Sequence, residues 1–138
     1  MIAFLYVQSY GENCFTEAGK RYNLNPKLLY AIAKIESNFN HKAVNKSNKN
    51  GSYDIGIMQI NSRWLPLLKK FNIMENDLYN PCQNIMVGAW ILAQCILKFD
   101  YTWKAVDCYN KGFNADGKSR YVLNVKRILK QILDSNLD

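Results

Sequence analysis

The stretch that most restricts what this chain can become is "NPCQNIMVGAWILAQCILKF", residues 80–99, apolar on nearly every side between Ile85 and Leu97. A helix that is hydrophobic all round has no face to offer water, so it has to be buried on most sides. It opens on Asn-Pro, where asparagine caps a free amide and proline fills a first-turn position that needs no N–H donor. With 138 residues, 49% of them hydrophobic, the chain suits one compact domain. A chain of this size buries about two thirds of its surface. No segment reaches the ~20 uninterrupted apolar residues that cross a bilayer, so a soluble protein without a transmembrane span is expected.

Helical periodicity governs most of the remainder. "NCFTEAGKRY", residues 13–22, predicts a short first helix capped by Asn13. "NPKLLYAIAKIES" begins with Asn25 as a cap and Pro26 at the first helical position. Leu29, Ile32, Ala33 and Glu36 then fall at i, i+3, i+4 and i+7, so Glu36 prolongs the stripe that faces the core. "TWKAVDCYNKG" predicts a short helix ending near Gly112. Residues 119–134 put Tyr121, Val122, Val125, Ile128, Leu129, Ile132 and Leu133 on one apolar face and leave the lysines and arginines outward.

Between these helices, "NKSNKNGSY", residues 45–53, is turn chemistry, and "YDIGIMQIN" alternates as a short strand or extended loop does. The expected fold is mostly α, of the α+β kind. It is a single helical domain over residues 14–138 with a small β-hairpin or extended loop near residues 45–61. Residues 1–13, "MIAFLYVQSYGEN", hold an apolar run with no basic residue before it. They read either as the remnant of a trimmed signal peptide or as an N-terminal extension forming a short packed strand or helix.

The formal charge is +7 and the bases are spread along the chain, which suits an anionic partner; nucleic acid and an acidic polymer both qualify. Cys14, Cys82, Cys95 and Cys108 occur without a C-x-x-C pair or a histidine cluster, which argues for two disulfides over a metal site. Three pairings are open to four cysteines. Bridges of this kind require an oxidising compartment. His41 is the lone histidine, which argues against a zinc centre with nitrogen and sulfur ligands and rules out a mechanism resting on two histidines.

Two acids stand in contrasting settings. A carboxyl group buried among apolar neighbours favours its neutral form, whereas one in a polar turn stays ionised. Glu36 fits the first description and Asp54 the second. Acids separated in this way form the pattern that breaks a glycosidic bond: the neutral one gives its proton to the leaving oxygen, and the ionised one supports the positive charge developing on the sugar ring. The pattern alone leaves blander readings open. A glutamate at a helix end also curls to solvent, and an aspartate three residues after Gly51 is common turn punctuation.

"ESNFN" with Ala43 and Asn45, then "GSYDIGIMQIN" and "SRW", closely resembles the catalytic stretch of the animal c-type lysozymes over residues 36–64. "CFTEAGKRYNLNPKLLYAIAKIES", "GIMQI", "NPCQNIMVGAWILA" and "YNKG" resemble the lytic transglycosylases of the soluble-lytic type. The likeness is strongest to the small members that accompany type III and type IV secretion systems. The two groups share a lysozyme-like core. The resemblance implies Glu36 as catalytic acid and base. It implies Asp54 as the second acid of the lysozymes, at a position where the transglycosylases generally carry none. It also implies sugar contacts by Asn45, Gln59 and Asn61, and it matches Tyr109 and Asn110 to the "YN" pair beside the catalytic glutamate. Asp107 and Cys108 depart from it, standing where the family usually has small residues. The secretion-associated relatives further imply Cys14 with Cys82, and with it Cys95 with Cys108.

The function so implied is a periplasmic, monomeric lytic transglycosylase that needs no metal or organic cofactor. It would cleave the β-1,4 bond between N-acetylmuramic acid and N-acetylglucosamine of peptidoglycan with formation of a 1,6-anhydro sugar, opening the wall locally for a secretion apparatus. Its partners would be glycan strands and a secretion-system component, not nucleic acid. A hydrolytic muramidase and a non-catalytic peptidoglycan-binding part of a secretion machine are the alternatives. A basic DNA-binding helix bundle accounts for the charge and leaves the lysozyme-like run unexplained.

Overall fold

A computed structural model describes residues 13–135. The expectation for residues 1–13 thus lies outside the described residues except at Asn13. That residue is already helical rather than a cap, within α1 over residues 13–22. Helix α2, Pro26–Ser37, starts as its sequence dictates, with the Asn25 side chain accepting from the Lys27 amide. It ends where Asn38 turns left-handed, φ 53°. A short helix α3, Leu65–Lys69, follows the sheet region, and α4, Pro81–Phe99, is the all-round apolar segment. Helices α5, Trp103–Lys111, and α6, Arg120–Ser135, are the last two among the described residues.

Helix α4 has the length and composition of a membrane span, but Ile85, Val87, Ala89, Ile91 and Leu92 along it are buried inside the protein. Helix α5 packs along α4, and α2 packs along α6. Leu29, Ile32, Ile85, Leu92, Val122 and Val125 meet in the interior at under 2% exposure, which places α2, α4 and α6 around one core. Leu133 departs from its expected place on the buried face of α6 and is 44% exposed. Two disulfides fasten α4 near both ends, Cys14 to Cys82 and Cys95 to Cys108.

The expected hairpin is a three-stranded antiparallel sheet in the order β1 (Val44–Asn45), β2 (Asp54–Ile55), β3 (Ile60–Asn61). Its register sets Asn45 opposite Asp54 and Asp54 opposite Asn61. Directly opposed residues share one face of a sheet, so the middle acid is flanked by two amides. The return from β2 to β3 is made by Gly56, φ 79°, and Gln59, φ 54°. A Cβ at Gly56 would sit 2.3 Å from the Asn84 side-chain nitrogen and 2.5 Å from the Leu78 carbonyl oxygen, so glycine is required there for space as well as conformation.

Candidate active site

Asn84 of α4 is wholly buried, and its amide is fully used. Its oxygen accepts from the Met58 amide at 2.9 Å, and its nitrogen donates to the carbonyls of Ile55 at 2.9 Å and Leu78 at 2.8 Å. One side chain of the core helix thereby anchors the "GIMQI" loop. On the same helix Gly88 makes room: a Cβ there would lie 2.8 Å from the Met58 sulfur and 3.0 Å from the Tyr109 hydroxyl. The space lets Tyr109 of α5 reach the Met58 carbonyl and donate to it at 2.7 Å. The spacing of the motifs thus has a steric cause.

Above this floor lies a groove of about 860 Å³, lined among others by Glu36, Asn45, Asp54, Gln59, Asn61, Tyr109 and Asn110. The fold therefore brings together all seven residues picked out from the sequence. Glu36 projects from the last turn of α2 and is half-buried. Burial raises its carboxyl from 4.5 to about 7, and the nearby charge of Asp54 adds to the rise. A hydrogen bond from Tyr121 works in the opposite direction, its hydroxyl donating to Oε2 at 2.8 Å. Oε1 has no protein donor among the described residues. Near neutral pH the side chain is thus divided between acid and base forms, the condition for giving a proton and taking one back.

Asp54 is housed differently. Its Oδ2 accepts from Asn48 at 3.0 Å and Asn45 at 3.3 Å, and its Oδ1 accepts from Asn61 at 2.9 Å. An acceptor-only carboxylate is the group that three amide donors match. Gln59 spends its nitrogen on the loop, donating to the carbonyls of Gly56 at 3.0 Å and Ala43 at 3.3 Å. Tyr109 faces both acids: burial first, then the charges of Glu36 and Asp54, holds its hydroxyl well above the usual range. Asn110 is exposed at the groove.

The sequence reading missed Tyr121, Asn48 and Asn84 as parts of this arrangement. Tyr121 sits at a core-facing helical position, where an aromatic reads as packing. Asn48 and Asn84 carried a weak signal, an Asn-rich turn in one case and a polar residue inside an apolar helix in the other. Asp107 is wholly buried in α5. Burial opposes its ionisation, but bonds from the Ser119 hydroxyl at 2.5 Å and the Gly117 and Asp116 amides, both at 3.0 Å, outweigh it with help from Lys111. Its carboxyl is therefore held below the usual range. It ties down the loop after the "YN" pair. Among the described residues no cluster of three or more His, Cys, Asp or Glu is arranged to hold a metal.

Residues 13–128 match the family model described as the transglycosylase SLT domain. The chain belongs to that family. Similar chains include invasion protein IagB of Salmonella typhimurium, 37% identical over 91% of this chain and 80% of the relative. Protein IpgF of Shigella flexneri is 37% identical over 88% and 80%. A peptidoglycan-binding-like protein of Escherichia coli O157:H7 is 38% identical over 83% and 73%. Among solved structures, an inactive mutant of the lytic transglycosylase Slt of Pseudomonas aeruginosa superposes with a TM-score of 0.66 at 20% identity. The match covers 88% of this chain and 24% of that one, so it establishes the shared fold of the domain. The mostly helical architecture with a small antiparallel sheet is thus the lysozyme-like fold of the lytic transglycosylases.

Proposed function

We propose that the protein is a peptidoglycan lytic transglycosylase cleaving the β-1,4 bond between N-acetylmuramic acid and N-acetylglucosamine. The observation that carries this reading is Glu36, raised to about 7 by burial and held by Tyr121 in the wall of an open groove that also contains Asp54. Neutral Glu36 gives its proton to the glycosidic oxygen as the bond from C1 breaks. Asp54 supports the positive charge that spreads over C1 and the ring oxygen. The carboxylate of Glu36 then takes the proton of the muramic acid C6 hydroxyl, whose oxygen closes on C1 to give the 1,6-anhydro sugar, and the acid is restored.

Membership of the SLT family supports this outcome over hydrolysis. The hydrolytic alternative rests on Asp54, which stands where the c-type lysozymes have their second acid and is held in the groove by three asparagine amides. In that path the same Glu36 activates water and a reducing end results. The family and the two disulfides support a site of action outside the cytoplasm; we assign it to the periplasm, acting as a monomer that opens the wall for a secretion apparatus. The masses of muropeptides released from purified cell wall test the reading, since anhydro and hydrated products differ by one water. Hydrated products alone would move the assignment to a muramidase. No release, with binding retained, would leave a wall-binding component.

A further inference from the structure

Besides its two acids the groove is lined by three cations, Lys49, Arg63 and Lys111. Lys111 is committed within the fold, its Nζ 3.6 Å from Asp107 and 3.8 Å from Asp116. Neither Lys49 nor Arg63 has a carboxylate within 4.0 Å among the described residues. Arg63 is exposed yet oriented: its Nε donates to Asn61 Oδ1 at 3.1 Å, and its backbone N–H reaches the same oxygen at 2.9 Å. Asn61 in turn donates to Asp54 at 2.9 Å. The guanidinium therefore stands two hydrogen bonds from the second acid without pairing with it. Three amides already occupy that carboxylate, and the remaining guanidinium N–H groups have no partner among the described residues. Arginine presents five donors in a planar fork that fits a carboxylate.

We propose that Arg63, assisted by Lys49, forms an anion subsite at the Asp54 end of the groove. It takes a carboxylate of the peptide borne on the lactyl group of the bound muramic acid. The substrate class comes from the function proposed above, and the subsite refines it. The sugar whose C1 the two acids serve carries its lactyl group on O3 of the same ring, so the peptide starts within one sugar's width of the reaction. The backbone of the glycan is uncharged, and the carboxylates of a peptide-bearing strand lie on its peptides.

Binding to the full chain carrying Glu36→Gln tests this without turnover. Four probes are compared: strands with free peptide carboxylates, the same strands after carbodiimide amidation, strands stripped of peptide so that the lactyl carboxylate is bare, and chitin oligomers. Amidation is expected to weaken binding about fivefold at low salt, the scale of a solvent-exposed charged contact. Adding Arg63→Gln should erase that difference, and Arg63→Lys should restore part of it. Lys49→Gln, whose side chain bonds neither Asn61 nor Asp54 among the described residues, should narrow it. The contrast should fade as the screening length falls from about 30 Å at 0.01 M salt to about 8 Å at 0.15 M. Equal binding of free and amidated strands overturns the proposal, as does equal loss on both in Arg63→Gln or failure to bind any strand. Tight, Arg63-dependent binding of stripped strands overturns the peptide as the source. Release of muropeptides by the unaltered chain is scored separately: release without a carboxylate preference sinks the subsite alone, and a preference without release sinks the catalytic reading alone.

Discussion

The two walls of the groove solve opposite problems with the same functional group. On the helical wall, Glu36 lies in the last turn of α2 among buried neighbours, and its partner is the hydroxyl of Tyr121. On the sheet wall, Asp54 lies in a strand of two residues and is enclosed by the amides of Asn45, Asn48 and Asn61. Removing water raises the carboxyl of the first acid, whereas three amide N–H groups meet the acceptor oxygens of the second. Housing, not residue type, separates the two acids.

The largest effect should come from the helical wall. Glu36→Gln removes the proton donor and should lower muropeptide release by about 10³-fold, within the range ascribed to general acid catalysis. The same substitution should stabilise the protein at alkaline pH. A carboxyl whose folded value is about 7 against 4.5 holds its proton more tightly when folded, so its contribution is complete below pH 4.5 and is lost as pH rises through 7. Melting curves at pH 8 should favour the glutamine variant by up to about 3 kcal/mol.

Next in size is the turn from β2 to β3. Gly56→Ala forces a Cβ against Asn84 and Leu78 and should cost about 3 kcal/mol in urea unfolding. Asp54→Asn places a fourth amide among three and should slow release by about 10- to 100-fold, toward the lower range for a lost electrostatic contact. A rate unchanged by that substitution would mean the sheet wall only shapes the groove. The smallest effect is expected from Tyr121→Phe. Muropeptide release should fall as pH rises through about 7, where Glu36 loses its proton. Because the Tyr121 bond lowers the Glu36 value, its removal should shift that limb to higher pH. A shift to lower pH would break the account of the helical wall.

The sequence made the long elements legible and the short ones obscure. Helices α2 and α4 announce themselves through Asn-Pro starts and sustained apolar spacing, and α5 and α6 through a terminal glycine and a one-sided stripe. Helix α3 has five residues, too few to display a period. The third strand could not be told from the second in "YDIGIMQIN", because the fold-back is made by positive backbone angles at Gly56 and Gln59. Glu36 was readable because a carboxylate interrupts an apolar stripe. Tyr121 was not, because its meaning depends on a partner 85 positions earlier. Asp54 was identifiable as an acid in a turn-rich run, while its asparagine cage emerged only with the register of the strands.

The amide of Asn84 joins the floor of the groove to the central helix through three backbone groups. Warming should therefore extinguish glycan binding and near-ultraviolet dichroism at one temperature, as a single cooperative event, with no range in which an intact shell surrounds a disordered cleft.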